Sequence, residues 1–165
     1  SMKTTVLFKA MVFAAMIMAT AMNMKVKAQE ENFITNEEVK NGLVTAKTIF
    51  KQEGSYLSKQ FRYEFTYDEQ NRLTGKQASK WNSIKEQWMP YYKITYTYDT
   101  EKIIMDYARW NEKHRAYDKD VQRSQYELNE ENMPVAQKIY RQNAATHDWT
   151  LVSFNKKDRL ANGWV

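Results

Sequence analysis

From residue 43 onward, apolar and polar positions alternate along the chain. Phe61, Tyr63, Phe65 and Tyr67 stand at every second position, with Arg62, Glu64 and Thr66 between them. Trp88, Pro90, Tyr92, Ile94, Tyr96 and Tyr98 repeat the pattern, separated by Met89, Tyr91, Lys93, Thr95 and Thr97. A period of two places one set on one face of a β-strand and the other set on the opposite face. Only "ITNEEVKNGL" reads differently, and it predicts a short helix near Ile34 to Lys40.

The ladders end in related turns. "YDEQNRL" begins at Tyr67, "YDTEKII" at Tyr98, "LNEENMP" at Leu128 and "FNKKDRL" at Phe154, with spacings of 31, 30 and 26 residues. The second place holds Asp68, Asp99, Asn129 or Asn155, whose side chain can cap its own turn. The fifth place holds Asn71, Lys102, Asn132 or Asp158. Asn and Asp accept positive φ more readily than other non-glycine residues. A second set of turns lies between these: "WNSIKEQW" joins Trp81 to Trp88, "WNEKHRAY" joins Trp110 to Tyr117, and "YRQNAATHDW" joins Tyr140 to Trp149. Upstream, "FKQEGSYL" from Phe50 to Leu57 takes the same place. Aromatics that flank a hairpin loop are expected to face each other across the strands. The unit is a hairpin of roughly thirty residues, and self-similarity at such a period marks a repeat architecture.

Strung together, these units predict an all-β, antiparallel up-and-down meander of about nine strands. They fall near 43–51, 56–68, 72–82, 87–99, 103–111, 116–129, 133–141, 148–155 and 159–165. A single sheet this long must curl, fold over or pair with another copy to cover its aromatic face. Its open edges invite pairing with another chain, so a homo-oligomer through those edges is expected.

The first residues change how composition is read. Lys3 and Lys9 precede the uncharged run "AMVFAAMIMATAM", and Val26 and Ala28 stand at −3 and −1 of a cut before Gln29. This is the pattern of a secretory signal peptide over residues 1–28, with Ser1 an added residue ahead of a natural start at Met2. The apolar run is too short to span a bilayer as a helix, which takes roughly 20 residues. Residues 29–42 read as a polar segment, mobile or a short helix, and 43–165 as a single β-repeat domain. The chain has 25 basic and 20 acidic residues; removing the leader's four lysines leaves 21 against 20. A basic surface for nucleic acid is therefore not expected. The chain contains no Cys, so an exported fold must hold without disulfides and no lipoprotein anchor is available.

"YDEQNRL" and "FNKKDRL" look like the turn of YD repeats, Tyr-Asp-x-x-Gly-Arg-Leu, with Asn71 and Asp158 at the glycine position. The similarity covers only the turns, and the period here is longer. The whole chain, with its leader, "KWN…QW" and "YxYD", more closely resembles exported Bacteroidetes proteins of the domain-of-unknown-function 3836 (DUF3836) family. That resemblance implies an all-β fold and an exported location, and brings no catalytic residues.

Candidate chemistry is sparse. His114 and His147 each stand in a hairpin loop, and no nucleophile elbow, zinc-helix signature or glycine-rich phosphate loop is present. Glu130 with Glu131, and Asp118 with Asp120, are the candidate carboxylate pairs for a hydrolase by proximity, and all lie in or near predicted turns. Neither pair offers a calcium-loop ligand series. The expectation is therefore a non-enzymatic protein with no cofactor and no metal, acting as a binding or structural surface. The candidate surface is Trp81, Trp88, Trp110, Tyr117 and Trp149, whose rings could stack on a glycan or anchor a protein partner. A small outer-membrane β-barrel is the alternative fold, since alternating strands with aromatic ends fit that architecture too.

Overall fold

In the computed structural model, residues 32–118 and 121–156 are described. They form ten β-strands and no helix: β1 Phe33–Lys40, β2 Leu43–Glu53, β3 Tyr56–Tyr67, β4 Leu73–Asn82, β5 Gln87–Tyr98, β6 Lys102–Asn111, β7 Ala116–Tyr117, β8 Gln122–Leu128, β9 Pro134–Gln142 and β10 Trp149–Lys156. Every pairing is antiparallel, in the order β1-β2-β3-β4-β5-β6-β8-β9-β10, with the short β7 on β6. This is the expected meander. It is an open sheet, since β1 and β10 stand at opposite ends of the order, and the closed-barrel alternative falls. The predicted leader over 1–28 and the predicted strand at 159–165 lie outside the described residues.

Two expectations are corrected. The segment expected as a short helix is strand β1, paired with β2 from Phe33↔Lys51 to Lys40↔Leu43. Its adjacent acids break the period-two pattern because each is used across strands: Glu37 meets Lys47 at 2.8 Å and Glu38 meets Arg62 at 2.7 Å. The strand expected over 116–129 is interrupted, with Ala116–Tyr117 and Gln122–Leu128 pairing separately with β6.

The two faces differ in chemistry. One carries Tyr63, Ala78, Tyr92, Ile94, Tyr96, Tyr98, Ile103, Met105 and Tyr126, brought side by side by the register. Ile94 and Met105 are almost fully buried in a cluster there, against which Tyr63, Leu73, Tyr98, Tyr107 and Leu128 pack. Burying such a side chain contributes about 1.5–3 kcal/mol. A bulge between Ala78 and Ser79 turns Tyr91 onto this tyrosine face as well, with its ring 6.1 Å from Phe61 and 5.3 Å from Tyr92. Lys76 lies among these rings, its ammonium 4.3 Å from the Tyr63 centroid. Burial, with Lys47 nearby, pushes its pKa down. The opposite face carries charges of both signs, with Arg62 and Glu64 on β3, Lys93 on β5, Asp106 on β6, Arg123 and Glu127 on β8 and Lys138 on β9.

Candidate functional site: the tryptophan-flanked end

Successive hairpins place their turns at alternating ends of the sheet, so the two turn families separate in space. The Tyr-Asp turns and the β1–β2 turn stand at one end, and the Trp-flanked turns at the other.

At the Tyr-Asp end, two of the four predicted turns share one geometry. Asp68 Oδ1 accepts from the amides of Gln70 and Arg72, both at 2.9 Å. Asn129 Oδ1 accepts from the amides of Glu131 at 3.0 Å and Met133 at 2.9 Å. The residues expected to take positive φ do so, Asn71 at 60° and Asn132 at 56°. In the Asp68 turn, Arg72 Nε adds an ion pair to Oδ2 at 2.7 Å. Burial opposes ionisation of Asp68, but the Arg72 and Gln70 amides and the Arg72 guanidinium hold its carboxyl below its ordinary range. The other two turns depart from the prediction. Asp99 closes on Lys102 one residue sooner, and its Oδ1 accepts from Thr100 at 2.7 Å. Asn155 lies inside β10, paired with Gln137, and Asp158 is outside the described residues.

At the opposite end, three loops share a cap that the sequence reading missed. Asn82 Oδ1 accepts from Ile84 at 3.0 Å and Lys85 at 2.9 Å, Asn111 Oδ1 from His114 at 3.1 Å, and Asn143 Oδ1 from Ala145 at 2.8 Å and Thr146 at 3.1 Å. Four residues after each Asn the backbone turns left-handed, at Glu86 (φ 50°), Arg115 (φ 49°) and His147 (φ 61°). The repeated "WN" of "WNSIKEQW" and "WNEKHRAY" was the available signal. Both loop histidines thus serve the loops, one through its backbone amide and the other through its φ. The "FKQEGSYL" loop is tighter than expected, with Glu53 opposite Tyr56 across a two-residue turn.

The predicted aromatic surface assembles in pairs. Trp81 and Trp88 are cross-strand partners with centroids 5.1 Å apart, edge to face. Trp110 and Tyr117 repeat the arrangement at 5.1 Å, and Trp110 Nε1 donates to Glu112 at 2.7 Å. Trp149 does not face Tyr140 as expected; it pairs with Gln142, because the longer 143–148 loop offsets the strands. Its ring is covered by the Arg123 guanidinium at 4.1 Å instead. Lys59 sits over Trp81 at 4.2 Å and Lys93 over Tyr117 at 4.7 Å. Alternation places Trp81, Trp110 and Trp149 on the charged face, away from Tyr92. All five predicted residues are half-buried.

Exposed apolar residues concentrate at this same end. Ile84, at the tip of the Trp81–Trp88 hairpin, is 93% exposed. Phe33, Ile34, Tyr56, Leu57 and Leu151 stand at strand ends on this side, spread from β1 across to β10, with Tyr91 and Val152 further along their strands. Toward the far end, among the described residues, the exposed large apolar side chains are Val39, Met133 and Phe154. That end instead has an open hollow of about 630 Å³ lined by Thr100, Glu101, Leu128, Asn129, Glu130, Glu131 and Asn132. Of the carboxylates considered for hydrolysis, only the Glu130–Glu131 pair is placed, and it is apart from the aromatic pairs, whereas Asp118 stands beside Trp110–Tyr117. Glu130 and Glu131 stand at the Tyr-Asp end, Asp118 is bonded by the Asn111 amide at 2.9 Å, and Asp120 is outside the described residues. Among the described residues, no group of three or more His, Asp or Glu is arranged to hold a metal.

The sequence matches the model of a family of unknown function (DUF3836) over residues 2–128, ending at the last residue of β8. The chain belongs to the DUF3836 family. A DUF3836 protein from Bacteroides vulgatus is 39% identical, with a TM-score of 0.51 over 53% of this chain and 89% of that one. A DUF3836 protein from Parabacteroides distasonis is 32% identical, with a TM-score of 0.54 over 59% of this chain and 91% of that one. A Bacteroides fragilis protein of unknown function shares the fold, with a TM-score of 0.70 over 78% of this chain and 94% of that one at 21% identity. No curated protein matches. Family membership agrees with the resemblance drawn from the sequence, including "KWN…QW" and "YxYD".

Proposed function

We propose that this DUF3836 chain is an exported, non-enzymatic β-repeat protein that binds a partner protein with its tryptophan-flanked end. The observation that carries this reading is the lopsided placement of apolar surface: Ile84, Tyr56, Leu57 and Leu151 project at the end where Trp81, Trp88, Trp110, Tyr117 and Trp149 stand half-buried. Exposed apolar side chains gathered at one end are a mark of interaction surfaces, and Trp and Tyr are the residues that most often anchor them. Apolar loop tips fit cavities on a protein better than they fit a sugar. The leader pattern over 1–28 supports the exported location.

A second reading, glycan binding, is favoured by the half-exposed indoles alone. Against it, Lys59 and Arg123 already stack on Trp81 and Trp149, occupying ring faces a pyranose would need. A glycan array run beside a panel of purified envelope proteins separates the two. The protein reading expects a protein hit weakened at least tenfold by Trp110→Ala and no glycan hit. Glycan binding abolished by the same substitution overturns it.

A further inference from the structure

The edge strand β1 has a partner on one side only, and all eight of its residues are exposed. Sheet edges are normally guarded by charges, proline or bulges that deter another strand. Here the two acids of "FITNEEVK" do not serve that purpose, because Glu37 is drawn to Lys47 and Glu38 to Arg62, inward across the sheet. Phe33 and Val39 meanwhile remain 51% and 62% exposed near the two ends of the strand.

We infer that β1 pairs with the β1 of a second copy, antiparallel about a two-fold axis through Asn36. Opposite residues in an antiparallel pair share a face. On β1, Phe33, Thr35, Glu37 and Val39 share one face and Ile34, Asn36, Glu38 and Lys40 the other. With Asn36 on the axis, Phe33 of each copy lies opposite Val39 of the other, Thr35 opposite Glu37, and Ile34 opposite Glu38. Both apolar residues on that face then gain an apolar partner, and no like charges meet. Moving the axis to Glu37 sets two carboxylates against each other, which destabilises a strand pair. Moving it to Thr35 leaves Val39 beyond the end of the partner strand. Self-complementarity of this kind is what an isologous dimer requires. The product is one continuous sheet of twice the width, with both tryptophan-flanked ends free.

A chain without cysteine allows a direct test on the full protein. Residues directly opposite in an antiparallel pair have Cα atoms ~4.5–5.5 Å apart, within disulfide reach, whereas copies offset by two positions are ~7–8 Å apart. Under mild oxidation Asn36→Cys is expected to give covalent dimer at least tenfold faster than Thr35→Cys or Leu151→Cys. Light scattering on the parent should show a dimer that grows with concentration. Val39→Lys, at a fully folded position judged by circular dichroism, should raise its dissociation constant at least tenfold, and Trp110→Ala should leave it unchanged. A monomer at all concentrations overturns the inference, as does crosslinking at Thr35→Cys or Leu151→Cys that equals Asn36→Cys. Loss of the dimer in Trp110→Ala would overturn it too, by moving the interface to the other end of the sheet.

Discussion

The hydroxyl of Tyr98 donates to the carbonyl of Leu73 at 2.7 Å, tying the last residue of β5 to the first of β4. Tyr67, the last residue of β3, makes the same bond to Val44 near the start of β2, also at 2.7 Å. The Tyr-Asp pair is thus a two-part structural device. The tyrosine anchors the strand before, and the aspartate shapes the turn that follows. Arg72 joins the two parts, paired with Asp68 and lying 4.8 Å over the Tyr98 ring.

Tyr98→Phe keeps the ring and removes the donor, leaving a half-buried carbonyl without its partner. The expected loss is ~1–2 kcal/mol, read by urea denaturation. Tyr67→Phe should cost a similar amount. A Tyr98→Phe protein as stable as the parent would show that the bond contributes nothing.

Burial pushes the Tyr98 and Tyr126 phenols from an ordinary 10.0 up to about 12, and Tyr92 and Tyr96 are raised further. All four must ionise more readily in the unfolded chain than in the fold. Their contribution to stability is therefore intact below about pH 10 and lost as pH rises toward the folded values. Denaturation midpoints measured from about pH 8 to 11.5 should be flat at first and then fall with a slope of more than one proton. A midpoint that holds through pH 11.5 would contradict the buried tyrosine row.

The Asp68 and Asn129 caps use the same oxygen for the same two amides, so the residues should exchange. Asn129→Asp is expected to change stability by less than ~0.5 kcal/mol. Asp68→Asn loses the partly exposed Arg72 ion pair as well, worth ~0–1 kcal/mol. Either position changed to Ala should cost ~1–2 kcal/mol, since it orphans two turn amides. Thermal melts of the four variants decide this.

Glu86 and Arg115 hold left-handed backbone at φ 50° and 49° with side chains that disfavour it. Glu86→Gly and Arg115→Gly should each raise stability by up to ~1 kcal/mol, the relief of left-handed strain less the added chain entropy of glycine. A destabilised Glu86→Gly would mean that the side chain has a role the loop geometry does not show.

What could be read in advance follows from how local each signal is. Alternation is local, and the strands from Leu43 to Gln142 stand where it put them, within two residues apart from the break after Tyr117. The Asp68 and Asn129 turns were also legible, because cap and left-handed residue lie within five positions. Strand β1 was not, because Glu37 and Glu38 make sense only beside Lys47 and Arg62, which the sequence places far away. The Trp81–Trp88 and Trp110–Tyr117 contacts were expected from loop length, whereas Trp149 shifted with a longer loop. The exposed apolar residues at the Ile84 end needed the strand order, since Phe33, Tyr56 and Leu151, on β1, β3 and β10, come to the same end of the sheet only once the meander is folded.

Site-specific photocrosslinking tests the central claim most directly. A photoreactive residue is placed either at Ile84, on the tryptophan-flanked end, or at Glu130, on the Tyr-Asp end, and the chain is irradiated in the cells that make it. A discrete protein adduct from position 84, weakened by Trp110→Ala and absent from position 130, is the predicted result. Adducts from position 130 alone, or none from position 84, would contradict the assignment of binding to the tryptophan-flanked end.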